Sequence, residues 1–118
     1  MRIVLSALLL VITAPAQAEG LPKAMLGAWS TDPAECANRN SEVRITVEPK
    51  SVQMYEVGFA IKRVTRTPDG YVRASGYSET DDGRAWETRY LKLLADDKLQ
   101  TGKPPEHEVY HRCPKDKR

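Results

Sequence analysis

Between residues 42 and 48 the chain alternates, with Val43, Ile45 and Val47 on one face and Glu42, Arg44, Thr46 and Glu48 on the other. A two-residue period of this kind predicts a strand with one buried and one wet side. Val52 and Met54 continue the pattern beyond Pro49, and Phe59 and Ile61 begin a further strand. Val64 falls out of phase, which predicts a bulge or a twist. Over residues 70–79, Val72, Ala74 and Gly76 take one face and Tyr71, Arg73, Ser75 and Tyr77 the other. Residues 84–94 group Trp86, Thr88 and Tyr90 before the phase switches to Leu91 and Leu93. Ala, Glu, Arg and Leu there favour helix, but the β character of the neighbouring segments makes strand the better reading.

Turn chemistry separates these segments at short intervals. Pro49-Lys50 suits the centre of a type I turn, and Thr67–Gly70 combines a proline that presets φ with a glycine for a left-handed exit. Thr80–Gly83 repeats that chemistry, while Gly58, Asp96-Asp97 and Gly102 mark weaker bends. No long 3.6-residue pattern intervenes. The predicted fold is therefore all-β, an antiparallel meander of about seven to eight strands forming a small closed or partly open barrel. Residues 21–26 predict a short N-terminal helical turn with Pro22 at its first position. A short strand centred on Trp29 follows, and residues 107–113 supply the last one.

The first 18 residues stand apart from this pattern. Arg2, an apolar run from Ile3 to Ile12 and the sequence Ala16-Gln17-Ala18 predict a secretory signal peptide cleaved after Ala18. The run is too short to span a bilayer, so no stable membrane insertion is expected. Residues 19–118 then form one domain, placed in the periplasm or secreted. Loss of Arg2 takes the formal net charge from +2 to +1, which gives no drive toward nucleic acid.

Two cysteines remain, Cys36 and Cys113. In an exported protein an even count reads first as a disulfide, and only one pairing exists. The alternative, a pair of metal ligands, lacks any close C-x-x-C spacing. The loop closed would hold about 78 residues, worth about 4.5 kcal/mol in the chain-entropy model. Such a bridge joins the end of the first strand to the end of the last, as closure of a barrel requires.

Gly27-Ala28-Trp29, entering the first strand after a helical turn, resembles the G-x-W signature of the calycin barrels. These include lipocalins, fatty-acid-binding proteins and the small secreted bacterial protease inhibitors of the Inh type. The resemblance implies that a basic residue of the last strand packs across the tryptophan. Arg112 occupies that place beside Cys113, with a cation–π attraction of about 0.5–2 kcal/mol. Only the two ends of the chain carry this likeness. The domain is shorter than a lipocalin, which limits any interior cavity, and Inh-type inhibitors place their second cysteine before the last strand. An ordinary core role for Trp29 is the equal alternative. Ser75-Gly76-Tyr77 is similar to the Ser-Gly element of bacterial C-type lysozyme inhibitors, without the basic residue and tyrosine that follow in those proteins.

Catalytic chemistry finds little support. Residues 107–111 fit H-E-x-x-H, but two zinc-binding histidines at that spacing need a helix. Pro104-Pro105 and Pro114 confine such a helix to about two turns, and Val109 and Tyr110 favour strand. On a strand His107 and His111 lie about 13 Å apart, and no third histidine follows. Glu79, Asp81 and Asp82 sit in a predicted hairpin tip without calcium-loop spacing. Ser30, Ser75 and Ser78 lack a nucleophile turn, and no Gly-rich phosphate loop occurs. The expectation is a protein that is not an enzyme and needs no metal or cofactor.

What remains is surface. Tyr71, Arg73, Ser75 and Tyr77, with Arg89 on a neighbouring strand, form a candidate interaction patch; inward packing of the two tyrosines is the alternative. The expected function is an exported non-enzymatic binding protein whose partner is a protein of the cell envelope, for instance as an inhibitor of a protease or lysozyme. A lipocalin-type carrier of a small apolar ligand and a structural envelope protein are the alternatives.

Overall fold

Short turns between alternating segments leave each strand nowhere to pair but with the next, and the last closes onto the first. The computed structural model describes residues 20–115; the expected leader, residues 1–18, lies outside the described residues. Eight strands follow in order: β1 (Gly27–Ser30), β2 (Arg44–Glu48), β3 (Ser51–Met54), β4 (Val57–Arg66), β5 (Val72–Thr80), β6 (Gly83–Leu94), β7 (Lys98–Lys103) and β8 (Glu106–Arg112). Each pairs antiparallel with its sequence neighbour, and β1 with β8, giving a closed barrel. The expected helical turn is a single 3-10 turn, Lys23–Met25, and a second spans Pro33–Glu35. No helix among the described residues is long and apolar enough to cross a membrane.

The turns fall mostly where their chemistry placed them, at Pro49-Lys50, at residues 67–71 and at Asp81-Asp82. Asp96 and Asp97 both take left-handed φ, 62° and 58°, a conformation that short acidic side chains tolerate. Two expected bends need correction. Gly58 lies inside β4, facing Gln53 across the ladder, and the reversal comes earlier at Tyr55-Glu56. Gly102 lies inside β7, and the reversal comes after it at Pro104-Pro105. The phase slip at Val64 is a bulge: the β4–β5 register shifts between Ile61 and Arg63, which returns Val64 to the side of Ala74. Gly76 lies at this point, where an added Cβ would stand 1.9 Å from the Ala60 carbonyl oxygen. Residues 84–94 are strand because they ladder against β5 and then β7, which outweighs their helical composition.

The inward faces meet in one core. Trp29, Phe59, Ala74 and Leu99 are fully buried, with Ile45, Val47, Val52, Ile61, Val72 and Leu91 around them. Each large apolar side chain removed from water contributes about 1.5–3 kcal/mol. Leu21 and Met25 cover one end, where the Trp29 indole donates to the Met25 carbonyl at 3.0 Å. Buried Ser30 is satisfied locally, donating to the Asp32 carbonyl at 2.7 Å and accepting from the Asp32 amide at 3.1 Å. The Cys36–Cys113 disulfide ties the segment after β1 to the end of β8, with Cα atoms 5.4 Å apart.

Candidate functional site

The two ends of the barrel differ in kind. At the end covered by Leu21 and Met25, the Arg112 guanidinium lies 4.2 Å from the Trp29 ring centre. It donates to the carbonyls of Leu26 (3.0 Å) and Ala24 (2.7 Å) and to Asp97 (2.9 Å). Gly27, with φ +122°, lets this fork pass; a Cβ there would contact Arg112 at 3.4 Å. The donors on all three guanidinium nitrogens are engaged within the chain, so this end is a closure. Trp29, Gly27 and Arg112, the residues singled out by the calycin resemblance, lie together at this end.

The opposite end is open, and the register shows why. β6 pairs with β5 from Gly83 to Leu91 but with β7 only from Leu91 to Leu94. Among the described residues, 83–90 therefore have a strand neighbour on one edge only. Gly102 takes φ +84°, and a Cβ on it would lie 2.6 Å from the Glu106 carbonyl oxygen. This left-handed residue sits where the β6–β7 ladder ends, and Pro104, which has no N–H, follows it. Between the free edge of β6 and the β7–β8 hairpin lies a cleft of about 600 Å³. Its floor is Ile45, Val52, Met54, Phe59 and Leu91; Glu87 and Arg89 form one wall, and Glu106, Glu108 and Tyr110 the other.

Charge inside the cleft is unevenly compensated. Arg89 donates to Glu87 at 2.8 and 3.2 Å and approaches the Met54 sulfur at 3.7 Å. Its guanidinium lies 5.0 Å from the Phe59 ring centre. Burial opposes the Glu87 charge, but the bonds from Arg89 and Ser78 outweigh it and hold the carboxyl below its usual value. Burial, reinforced by the Glu108 charge, pushes the Tyr110 hydroxyl well above its usual value. It therefore stays a neutral donor, giving its proton to Glu108 at 3.0 Å. Among the described residues no salt bridge reaches Glu106 or Glu108.

The patch expected from sequence divides. Tyr71, Arg73, Ser75 and Tyr77 share the outward side of the sheet, where Arg73, Ser75 and Tyr77 face Tyr90, Thr88 and Trp86 of β6. Tyr71 and Ser75 are nonetheless buried. Tyr71 accepts from Gln100 at 2.9 Å and packs edge-to-face on Tyr90 under Lys92 and Lys103. The Ser75 hydroxyl meets that of Thr88 at 2.9 Å. Exposure concentrates further along the same face. Trp86, 51% exposed, stacks edge-on against Tyr77 at 5.0 Å, with Arg84 4.3 Å over the Tyr77 ring. Arg89 is not on this face: it stands opposite Ala74 and projects into the cleft.

Sequence reasoning missed Trp86 as the exposed aromatic, although its phase with Thr88 and Tyr90 was a usable signal. It also missed Glu87, Glu106, Glu108 and Tyr110, whose convergence depends on three-dimensional register. Residues 107–111 lie within strand β8, with His107 opposite Gly102 and His111 opposite Lys98. Among the described residues no group of three His, Cys, Asp or Glu side chains is placed to hold a metal ion. No protein-family model matches the chain, and no curated protein or solved structure matches it.

Proposed function

We propose that this chain is an exported, non-enzymatic binding protein that captures an extended segment of a partner protein at the open end of its barrel. One observation carries the reading: residues 83–90 of β6 present an unpaired edge directly beside the cleft. An added strand would gain main-chain hydrogen bonds from that edge, and the cleft would receive one of its alternate side chains. Trp86, exposed on the adjoining face, adds the aromatic anchor common at binding hot spots. The disulfide is compatible with a periplasmic or extracellular setting. Arg112 over Trp29 closes the other end of the barrel, which leaves this edge and cleft at the open one.

Site-specific photo-crosslinking in the producing cell tests this. A photoreactive residue at exposed Ala85, on the free edge, is expected to give a discrete protein adduct; one at exposed Arg66, at the far end of β4, gives none. Equal labelling at both positions, or none at Ala85, overturns the reading. The inhibitor version has its own check, a panel of serine and metalloproteases and c-type lysozyme, and uniform inactivity at micromolar protein removes it. A second reading has one observation in its favour: the cleft volume is in the range of small-molecule sites. Native mass spectrometry of the gently purified protein would reveal a retained ligand.

A further inference from the structure

We infer that the cleft is the seat of a lysine side chain carried by the docked segment. This rests on the edge-capture reading of the preceding section and adds the chemistry of the partner. The cleft has an apolar floor under an acidic rim. Met54, the half-buried residue of that floor, offers an apolar surface to an aliphatic stem, the way long basic side chains bury their methylenes while the charged head stays at the polar margin.

The rim selects a cation. Glu87 and Arg89 neutralise each other through two hydrogen bonds, so their pair contributes no net charge. Glu106 and Glu108 line the opposite wall without a salt bridge among the described residues. Glu108 holds only the neutral Tyr110 hydroxyl, which leaves acceptor capacity on its carboxylate. An anion is disfavoured because Arg89, the one arginine in the lining, already turns two of its nitrogens onto Glu87. Lysine fits better than arginine. Its compact ammonium has three freely rotating donors, whereas a second planar guanidinium would crowd that of Arg89.

The test uses mature ¹⁵N-labelled protein and four probes followed by amide chemical shifts. Three are capped heptapeptides of alternating threonine and valine with lysine, norleucine or arginine at the centre; the fourth is n-butylamine. The lysine peptide is expected to shift residues 83–90 and the cleft residues Leu91 and Glu108 together. The norleucine peptide should shift the edge with about fivefold weaker affinity, in line with one partly exposed ion pair. Glu106→Gln combined with Glu108→Gln should remove that advantage and leave norleucine binding unchanged. Equal affinity for lysine and norleucine, or stronger binding of arginine, overturns the lysine inference while edge capture stands. No response at residues 83–90 to any peptide overturns edge capture itself. Butylamine shifting the cleft with all peptides silent makes the occupant a free amine, and overturns both.

Discussion

Replacing Arg112 with alanine removes the clasp at the closed end, and its cost follows from the contacts made there. The half-buried bond to the Leu26 carbonyl comes from a charged donor and contributes about 1.5–2 kcal/mol. The bond to the Ala24 carbonyl is exposed and contributes about 0.5 kcal/mol. Cation–π contact with Trp29 at 4.2 Å adds about 1 kcal/mol. The Asp97 pair, whose carboxylate side is 63% exposed, adds about 0.5 kcal/mol. Arg112→Ala should therefore lose about 3.5–4 kcal/mol from a total of about 5–15. At about 5 °C per kcal/mol for a domain of this size, Tm should fall by about 15–20 °C. Urea unfolding followed by far-UV circular dichroism measures the loss, with the disulfide kept intact so that the variant still folds. Arg112→Lys should lose about 2 kcal/mol, because an ammonium keeps the charge but cannot reach both carbonyls as the planar fork does. A loss below about 1 kcal/mol for Arg112→Ala, with strand signal preserved, would refute the assignment of this residue as the closure.

Other outcomes follow from the same structure. Cys36 and Cys113 should resist alkylation unless a reductant is present, and their joint replacement by serine should cost about 4.5 kcal/mol in urea titrations, since the bridge spans 77 positions of sequence. Gly76→Ala should destabilise by about 3 kcal/mol or more, because the added methyl meets the β4 backbone at 1.9 Å with no flexible side chain to yield; a wild-type melting curve would show that the strands can part. Glu87 is held below its ordinary value of 4.5, so its charge favours folding above that pH, and the contribution disappears as pH falls through the folded-state value. Glu87→Gln should accordingly flatten the acid limb of the stability curve below about pH 4.5, and an unchanged limb would count against the Arg89 pair as its cause.

Much of the barrel was legible in single residues. Alternation at Val43, Ile45 and Val47 placed β2, the phase slip at Val64 placed the bulge, and two aspartates at 96 and 97 placed a reversal. Local chemistry sufficed because a strand's faces repeat every second residue and a turn's geometry belongs to its own few residues. The glycines were harder. Gly58 and Gly102 read as bends, yet each lies inside a strand, since glycine also serves where a neighbouring chain comes close. Arg89 shows the same limit at the site. Its residue type marked it as a hot-spot candidate, but only the pairing with Ala74 decides that it projects inward to Glu87 rather than outward beside Tyr77.

The chain by itself determined an antiparallel meander and the pairing of its only two cysteines. Each depends on local periodicity or on a choice with one answer. Tertiary structure alone decided where closure stops. β6 outruns β7 because Gly102 and Pro104 lie where that ladder ends, and the difference in length appears only once the strands are laid side by side. The free edge, the apolar floor and the carboxylates of Glu106 and Glu108 come from residues 45 to 108. No local pattern brings them together; the register of the closed sheet does.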